Sequence, residues 1–432
     1  MKRFLTLLSC AWGLLLAPAV QAQLTANDSV SLGPGYATDA WYSFSEGVVG
    51  TAPATNWDLA FQIEPREAGI RINEIKGVQL YLASTNANDF ETADTAGKIT
   101  PANRLHNSDT TWNYGAFNRI RDARNPFDYG WGLYNQSTQI VNGSKVFFLR
   151  LADSSWHKVR GLTLADNAQV FTLEIASLDN SRRDTLTFDR RGFAGKRFGY
   201  YSFATGLPLD REPAADRWDL LFTRYFTQVQ DEHYPVMGVL ANYNSTFFGN
   251  SGVRVAQADD VDPLTQERVP TGLPFATPIN TIGSDWKEFN MQGGTWNIAQ
   301  RRVYFVENVA RTQVWRLIFT GFGGTANGRS LFFKGLVPTS RAELASLESF
   351  TVWPNPTTDV LEVAADSRRP AAAARLTVLS LDGRELIVQS RQTDGPQFAD
   401  RLDLAPLPAG FYLVKLEIEG AAPAVTRVIK SN

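Results

Sequence analysis

The feature that most constrains this chain is that much of it is written twice. WYSFSEG at Trp41 returns as YYSFATG at Tyr200, with Phe44 and Phe203 offset by 159 residues. NWDLAFQ at Asn56 returns as RWDLLFT at Arg217, and Trp57 and Trp218 are 161 apart. GVQLYLAST at Gly77 meets GVLANYNST at Gly238 at 161, and KVFFLRLADSSW at Lys145 meets RVYFVENVARTQVW at Arg302, where Val146 and Val303 differ by 157. Four ordered matches at a nearly constant offset imply a repeated structural unit. The predicted copies are residues 24–194 and 195–339.

The repeated pieces read as strands. Aromatic residues make up 12% of the chain, glycine and proline are frequent, and apolar spacing at 3.6 residues is scarce, which favours an all-β fold. FTLEIASL places Phe171, Leu173 and Ile175 on one face and Thr172, Glu174 and Ala176 on the other, the pattern of a half-buried strand. KVFFLRL is apolar on both faces, as a covered central strand requires. In W-D-L-x-F the alternation predicts Trp57, Leu59 and Phe61 on one face, with Asp58 on the other or closing a turn. Asp58 and Asp219 occupy equivalent positions, which points to a structural role, because an active site seldom needs two copies in tandem.

The first 22 residues have a basic start at Lys2 and Arg3, an apolar stretch from Phe4 to Leu16 and small residues at Val20 and Ala22. This is the pattern of a secretory signal peptide cut after Ala22, too short to span a membrane. A lipoprotein reading of LLSC, with Cys10 acylated, would shorten the apolar core too far. Cys10 is the single cysteine, so ordinary cleavage leaves a chain without disulfides, thiolate metal sites or a cysteine nucleophile. A net charge of −2 argues against a nucleic-acid partner. No later stretch is long and apolar enough for a transmembrane helix.

YSFATG, RWDLLFTRY, YPVMGVLANY and RVYFVENVARTQVWRLIFTGFGG together resemble the HmuY-like family of all-β bacterial surface and secreted proteins, across both units and most clearly in the second. The resemblance implies haem as a ligand, held in that family's characterised binders by two axial side chains, histidines or methionines. None of the family's ligand positions is carried over to a residue here. By residue type alone, the first unit offers His106 with His157, and the second offers Met237 with Met291, or His233 with either. His106 and His157 are the expected cofactor-binding pair. Each of these residues also has a structural account, as a loop or strand-end histidine or as methionine core filler.

Hydrolase signatures such as G-x-S-x-G and H-E-x-x-H are absent from the sequence, as is a lysine-bearing phosphate loop. TGFGGTANG at Thr320 follows a strand and leads into another, which predicts a hairpin or bulge. ADDVDPL at Ala258 brings three carboxylates together without the remaining ligands of a calcium site, and reads as a solvated loop. The expectation is therefore a binding protein, with no catalytic residues and no metal site. The rival to haem is an adhesin or glycan-binding protein, recognisable by an open aromatic strip on a strand face without an axial pair.

VPTSRAELASLESF forms a predicted linker over 340–349, with Ser340 and Glu343 at capping-box spacing. A new series of strands then begins at WPNP, where Pro354 and Pro356 cannot donate ladder hydrogen bonds and set an extended turn. VLEVAA alternates, LTVLSLDGRELIVQS is two strands about Asp382-Gly383, and GFYLVKLEIEG puts Tyr412, Val414, Leu416 and Ile418 on one face. VTRVIK is the last strand. The predicted fold class is thus all-β, with two tandem antiparallel β units followed by a small C-terminal β-sandwich.

The order PNP, L-x-G-R-E-L, L-P-A-G-F-Y-L-V-K-L and a basic residue near the end resembles the C-terminal sorting domain of type IX secretion, in its type A form, over 350–432. That resemblance implies the type IX secretion machinery as a partner. It also implies a secreted product or one on the cell surface, at the outer face of the outer membrane.

Overall fold

A computed structural model describes residues 26–165, 169–246, 249–337, 349–366, 373–380, 384–393, 395–418 and 423–431. The predicted signal peptide, nearly all of the linker with Ser340 and Glu343, and the Asp382-Gly383 turn lie outside the described residues. The described chain is nearly all strand, so the all-β expectation holds. It divides near residue 338 into two compact units.

In the larger unit the two sequence copies do not close on themselves. The hairpin Thr38–Ser43 with Gly47–Pro53, from the first copy, pairs with Leu220–Val229 of the second. The equivalent hairpin Phe198–Ser202 with Leu207–Leu209, from the second copy, pairs with Leu59–Gln62 of the first. Asp28–Ser31 likewise adds to the edge of Arg329–Val337. The sequence divides near 194/195, but strand pairing crosses that division in both directions.

Two sandwiches result. The first packs the sheet ordered Leu207–Leu209, Phe198–Ser202, Leu59–Gln62, Ile70–Ile72 against a larger sheet that includes Gln79–Ser84, Val146–Arg150, Trp156–Ala165, Val170–Ser177 and Arg183–Asp189. Its core holds Leu59, Phe61, Phe147, Leu149, Phe171, Leu173 and Phe188. The second packs Glu232–Ala241, Leu220–Val229, Thr38–Ser43, Gly47–Pro53 against Asp28–Ser31, Arg329–Val337, Val314–Phe322, Arg302–Glu307, Val255–Asp259, around Tyr42, Phe222, Tyr304, Phe319 and Phe332.

The two four-stranded sheets back onto each other through a third cluster with Trp41, Ala60, Phe198, Tyr200, Trp218 and Leu240. Strands covered on both faces must be apolar at successive positions, and AWY at 40–42 satisfies this: Ala40 and Tyr42 enter one core, Trp41 the other. Val146–Arg150, apolar on both faces, is covered in the same way, with Phe147 and Leu149 on one side and Val146 and Phe148 on the other.

The W-D-L motif explains how the exchange is held. The strands begin at Leu59 and Leu220, so each aspartate stands just before its strand and faces the visiting hairpin. Asp58 Oδ2 accepts the Phe203 N–H at 2.8 Å, and Asp219 Oδ2 accepts the Phe44 N–H at 2.8 Å. Asp219 Oδ1 also accepts the Val309 N–H at 2.7 Å. Asn73 and Asn242 repeat the symmetry, donating Nδ2 to the carbonyls of Ala54 and Trp57 in one half and of Ala215 and Trp218 in the other. Both carboxylates accept backbone N–H groups from the visiting hairpin, and burial still raises the pKa of Asp219 above the ordinary carboxylate value. The expected common face of Trp57, Leu59 and Phe61 is corrected: Leu59 and Phe61 enter the first core, while Trp57 turns to the seam and packs on Tyr200 at 5.2 Å. Strand alternation does not extend back across the aspartate.

The C-terminal unit is a separate two-sheet sandwich. Ser349–Trp353, Val360–Asp366 and Gln397–Asp403 form one sheet, and Glu385–Gln392, Ala373–Leu379, Gly410–Ile418 and Ala424–Lys430 form the other. Leu361, Val363, Val378, Tyr412, Val414, Leu416, Ile418 and Val428 fill the core, as the alternation in the sequence predicts. In the PNP turn, Asn355 Nδ2 donates to the Arg427 carbonyl and Oδ1 accepts the Ile429 N–H, both at 2.9 Å, tying the first turn to the last strand. Lys430 Nζ donates to the Leu407 carbonyl at 2.7 Å, so the basic residue near the end closes a turn.

Candidate functional site

His106 follows the short edge strand Arg104–Leu105, where Nδ1 lies 2.6 Å from Glu74 Oε1. Its ring stacks face to face on His233 of the other copy, centroids 3.8 Å apart and planes within 2°. His157 lies in Trp156–Ala165, stacks on Phe203 at 6.2 Å and has Nε2 3.2 Å from Ser155 Oγ. Burial lowers the pKa of both His157 and His233, the latter also through the charge of His106.

The expected pairing of His106 with His157 is not assembled. Val146–Arg150 and Gln79–Ser84 lie between their strands, which at the usual spacing separates them by roughly 14 Å. His106 and His233 are neighbours, but parallel rings in van der Waals contact leave no space for a porphyrin between two opposed nitrogens. Met237 is core, 6% exposed, whereas Met291 is 85% exposed at a hairpin turn, so the methionine pair is not assembled either. His106 with His157, and Met237 with Met291, are thus not brought together as facing pairs.

Between the sandwiches, a cavity of about 90 Å³ is lined by Arg71, Trp112, Tyr200, Arg211, Asp39 and their neighbours. Several of its buried polar groups are paired within the protein. Arg211 Nη2 donates to Asp39 Oδ2 at 2.7 Å under the rings of Trp41 and Tyr200, and Thr223 donates to the other Asp39 oxygen at 2.6 Å. Arg71, whose pKa burial pushes down to about 10, donates to the Ser108 carbonyl at 2.7 Å. Glu212 accepts the N–H groups of Arg197 and Phe198 and the Tyr200 hydroxyl, while burial pushes its carboxyl up to about 7. These groups hold the seam together, and the space they leave is far smaller than a typical ligand site.

A different opening lies at one end of the second sandwich. The hairpin Lys287–Asn290 with Thr295–Ile298 and the turn after Val314–Phe322 frame an open groove of about 710 Å³. Trp296 and Phe322 meet edge to face in it, centroids 5.0 Å apart, and Phe322 stacks on Tyr36 at 6.1 Å. Asn297, Gln300, Asn327 and Arg329 add polar groups. The glycine run fits the turn against the indole: Gly324 has φ +59°, and a Cβ there would meet Trp296 Nε1 at 2.8 Å. TGFGGTANG is a hairpin connection as expected, containing one helical turn, Gly324–Asn327, too short to act as a phosphate-binding helix.

The remaining acidic stretch is also accounted for. Asp259 pairs with Arg302 at 2.5 Å, Asp260 lies near Arg301 at 3.9 Å, and Asp262 accepts the Leu264 N–H at 2.9 Å. Among the described residues, no group of three or more His, Cys, Asp or Glu is arranged to hold a metal ion. No described helix is long and apolar enough to cross a membrane.

Sequence reasoning did not single out Trp296, Phe322 or Arg329. They come from three separate segments, and the only local signal was the glycine run between Phe322 and Asn327.

Among solved structures, the chain is similar to dimeric latent PorU from Porphyromonas gingivalis, at 9% identity and a TM-score of 0.17, over 68% of this chain and 31% of that one. The chain thus spans less than a third of that protein's length, and so distant a likeness carries no argument about fold or function. No curated protein matches. Residues 351–431 match the secretion system C-terminal sorting domain, so the C-terminal unit belongs to that family and marks the chain as a secreted or surface protein exported by the type IX system.

Proposed function

We propose that the unit ahead of the sorting domain is a carbohydrate-binding protein, an adhesin-type cargo rather than an enzyme. The observation that carries this reading is the groove at Trp296 and Phe322. A sugar ring has apolar C–H faces and an equatorial rim of hydroxyls, so it is recognised by an aromatic wall with a few polar side chains at its edge. Asn297, Gln300, Asn327 and Arg329 supply that edge. The HmuY-like resemblance would make haem the ligand instead. Against this stand the stacked geometry of His106 and His233, the separation of His157, and the placement of Met237 in the core.

Calorimetric titration of the exported chain with oligosaccharides tests the proposal. Trp296 is partly exposed, so Trp296→Ala is expected to leave the fold intact and weaken binding at least tenfold, by the roughly 1.4 kcal/mol or more that one stacked aromatic contributes. Binding unchanged by this substitution would remove the groove from the account. A Soret shift that follows His106 and His157 would restore the haem reading.

A further inference from the structure

The groove has a charge of one sign. Arg329 is the only ionisable side chain among its lining residues; the others are amides, hydroxyls, aromatics and aliphatics. Arg329 Nε and Nη2 both donate to Ser29 Oγ, at 3.2 and 3.0 Å, and this fixes the plane of the guanidinium. Among the described residues it has no carboxylate partner and Nη1 makes no bond. The carboxylate next to Ser29 is held elsewhere: Asp28 is bound by Lys334 at 2.8 Å and by the Tyr42 hydroxyl at 2.7 Å. Glu288, opposite Asn297 in the hairpin register, is outside the lining.

A buried amine backs the aromatic wall. Lys287 Nζ lies 4.8 Å from the Phe322 centroid and 5.7 Å from that of Trp296, and it donates to the carbonyls of Met237 and Ser284 rather than to a carboxylate. An oriented guanidinium without a protein anion, beside a stacking platform, is the arrangement that recognises a planar oxyanion carried on an apolar ring.

We infer that the groove selects acidic saccharides, with the carboxylate of a uronic acid placed on Arg329 and the sugar ring against Trp296. The inference rests on the carbohydrate-binding reading above and narrows it to a ligand class. Asn327 Oδ1 accepts the backbone N–H of Arg329 at 3.0 Å, which ties the two polar residues of the groove together.

The test compares three probes of equal length on the full exported chain: a neutral oligosaccharide, an oligouronate and a sulfated oligosaccharide, each at low and high salt. The oligouronate is expected to bind about tenfold tighter than the neutral sugar, with the advantage shrinking as salt rises. Arg329→Gln should lower oligouronate affinity to that of the neutral sugar, while Trp296→Ala should weaken both. Near-UV circular dichroism confirms that each variant is folded.

Equal affinity for neutral and acidic sugars, or an oligouronate preference that survives Arg329→Gln, would overturn the inference and leave the carbohydrate reading standing. Tighter binding of the sulfated probe than of the oligouronate would overturn the assignment to a carboxylate. Absence of binding by all three at millimolar concentration would overturn both readings.

Discussion

The two units of this protein reach all-β sandwiches by opposite routes. The C-terminal unit is assembled from fewer than ninety residues, all its strand pairings lie within that span, and its signature residues close it: Asn355 ties the PNP turn to the last strand, and Lys430 bonds the turn at Leu407. The larger unit is a duplication in which each copy lends its first hairpin to the other, so its sandwiches are completed by pairings more than a hundred residues apart. A module whose described strands pair only with one another keeps a core of its own. An exchanged pair makes the two sandwiches of the cargo depend on one another.

The largest expected effect comes from trimming each unit. Removing residues 349–432 should leave a folded cargo unit that fails to reach the medium. Removing residues 26–53 takes the edge strand and hairpin from the second sandwich, with Val30, Ala40, Trp41, Tyr42 and Phe44. That truncation should unfold the cargo unit, as read by near-UV circular dichroism, while the C-terminal unit keeps its own transition. A folded cargo after the second truncation would break the comparison.

Smaller cuts sharpen it. Asp219→Ala removes the acceptor of two buried backbone N–H groups and is expected to destabilise the cargo unit by about 3 kcal/mol. Asn355→Ala loses two bonds near the surface and should cost the C-terminal unit about 1 kcal/mol. Urea denaturation that resolves the two transitions should show each substitution moving one and not the other.

The last prediction is a pH dependence confined to the cargo. Burial pushes the Lys287 amine down from its ordinary value of 10.5 to about 7. Between those values the unfolded chain binds more protons than the folded one, so the Lys287 contribution makes stability rise with pH across this window. Lys287→Met should flatten that rise in the cargo transition, measured by urea midpoints at about pH 7 and about pH 9.5. An unchanged slope would show that the buried amine keeps its ordinary basicity.

What could be read from the sequence follows the same division. In the C-terminal unit, alternation in VLEVAA and GFYLVKLEIEG assigns the inward faces directly, because one face of each strand enters the core. In the cargo, the repeat offsets gave the duplication and the equivalence of Asp58 and Asp219. The exchange was hidden: periodicity assigns faces, not partners, and a hairpin that pairs with the other copy has the same pattern as one that pairs with its own. Trp57 was placed on the wrong face for a related reason, since the motif continues through an aspartate where the strand has not yet begun. His106 and His157 were joined by residue type alone, without the strand order that separates them. The groove was illegible because Trp296, Phe322 and Arg329 meet only after three segments have folded.

Cleavage at the boundary between the copies tests the exchange most directly. Ala194 and Gly195 are exposed, so a protease site introduced there can be cut in the folded chain. The account predicts that the two pieces, each holding a hairpin of the other's sandwich, co-elute and keep the native near-UV spectrum. Separation into two independently folded pieces would contradict it.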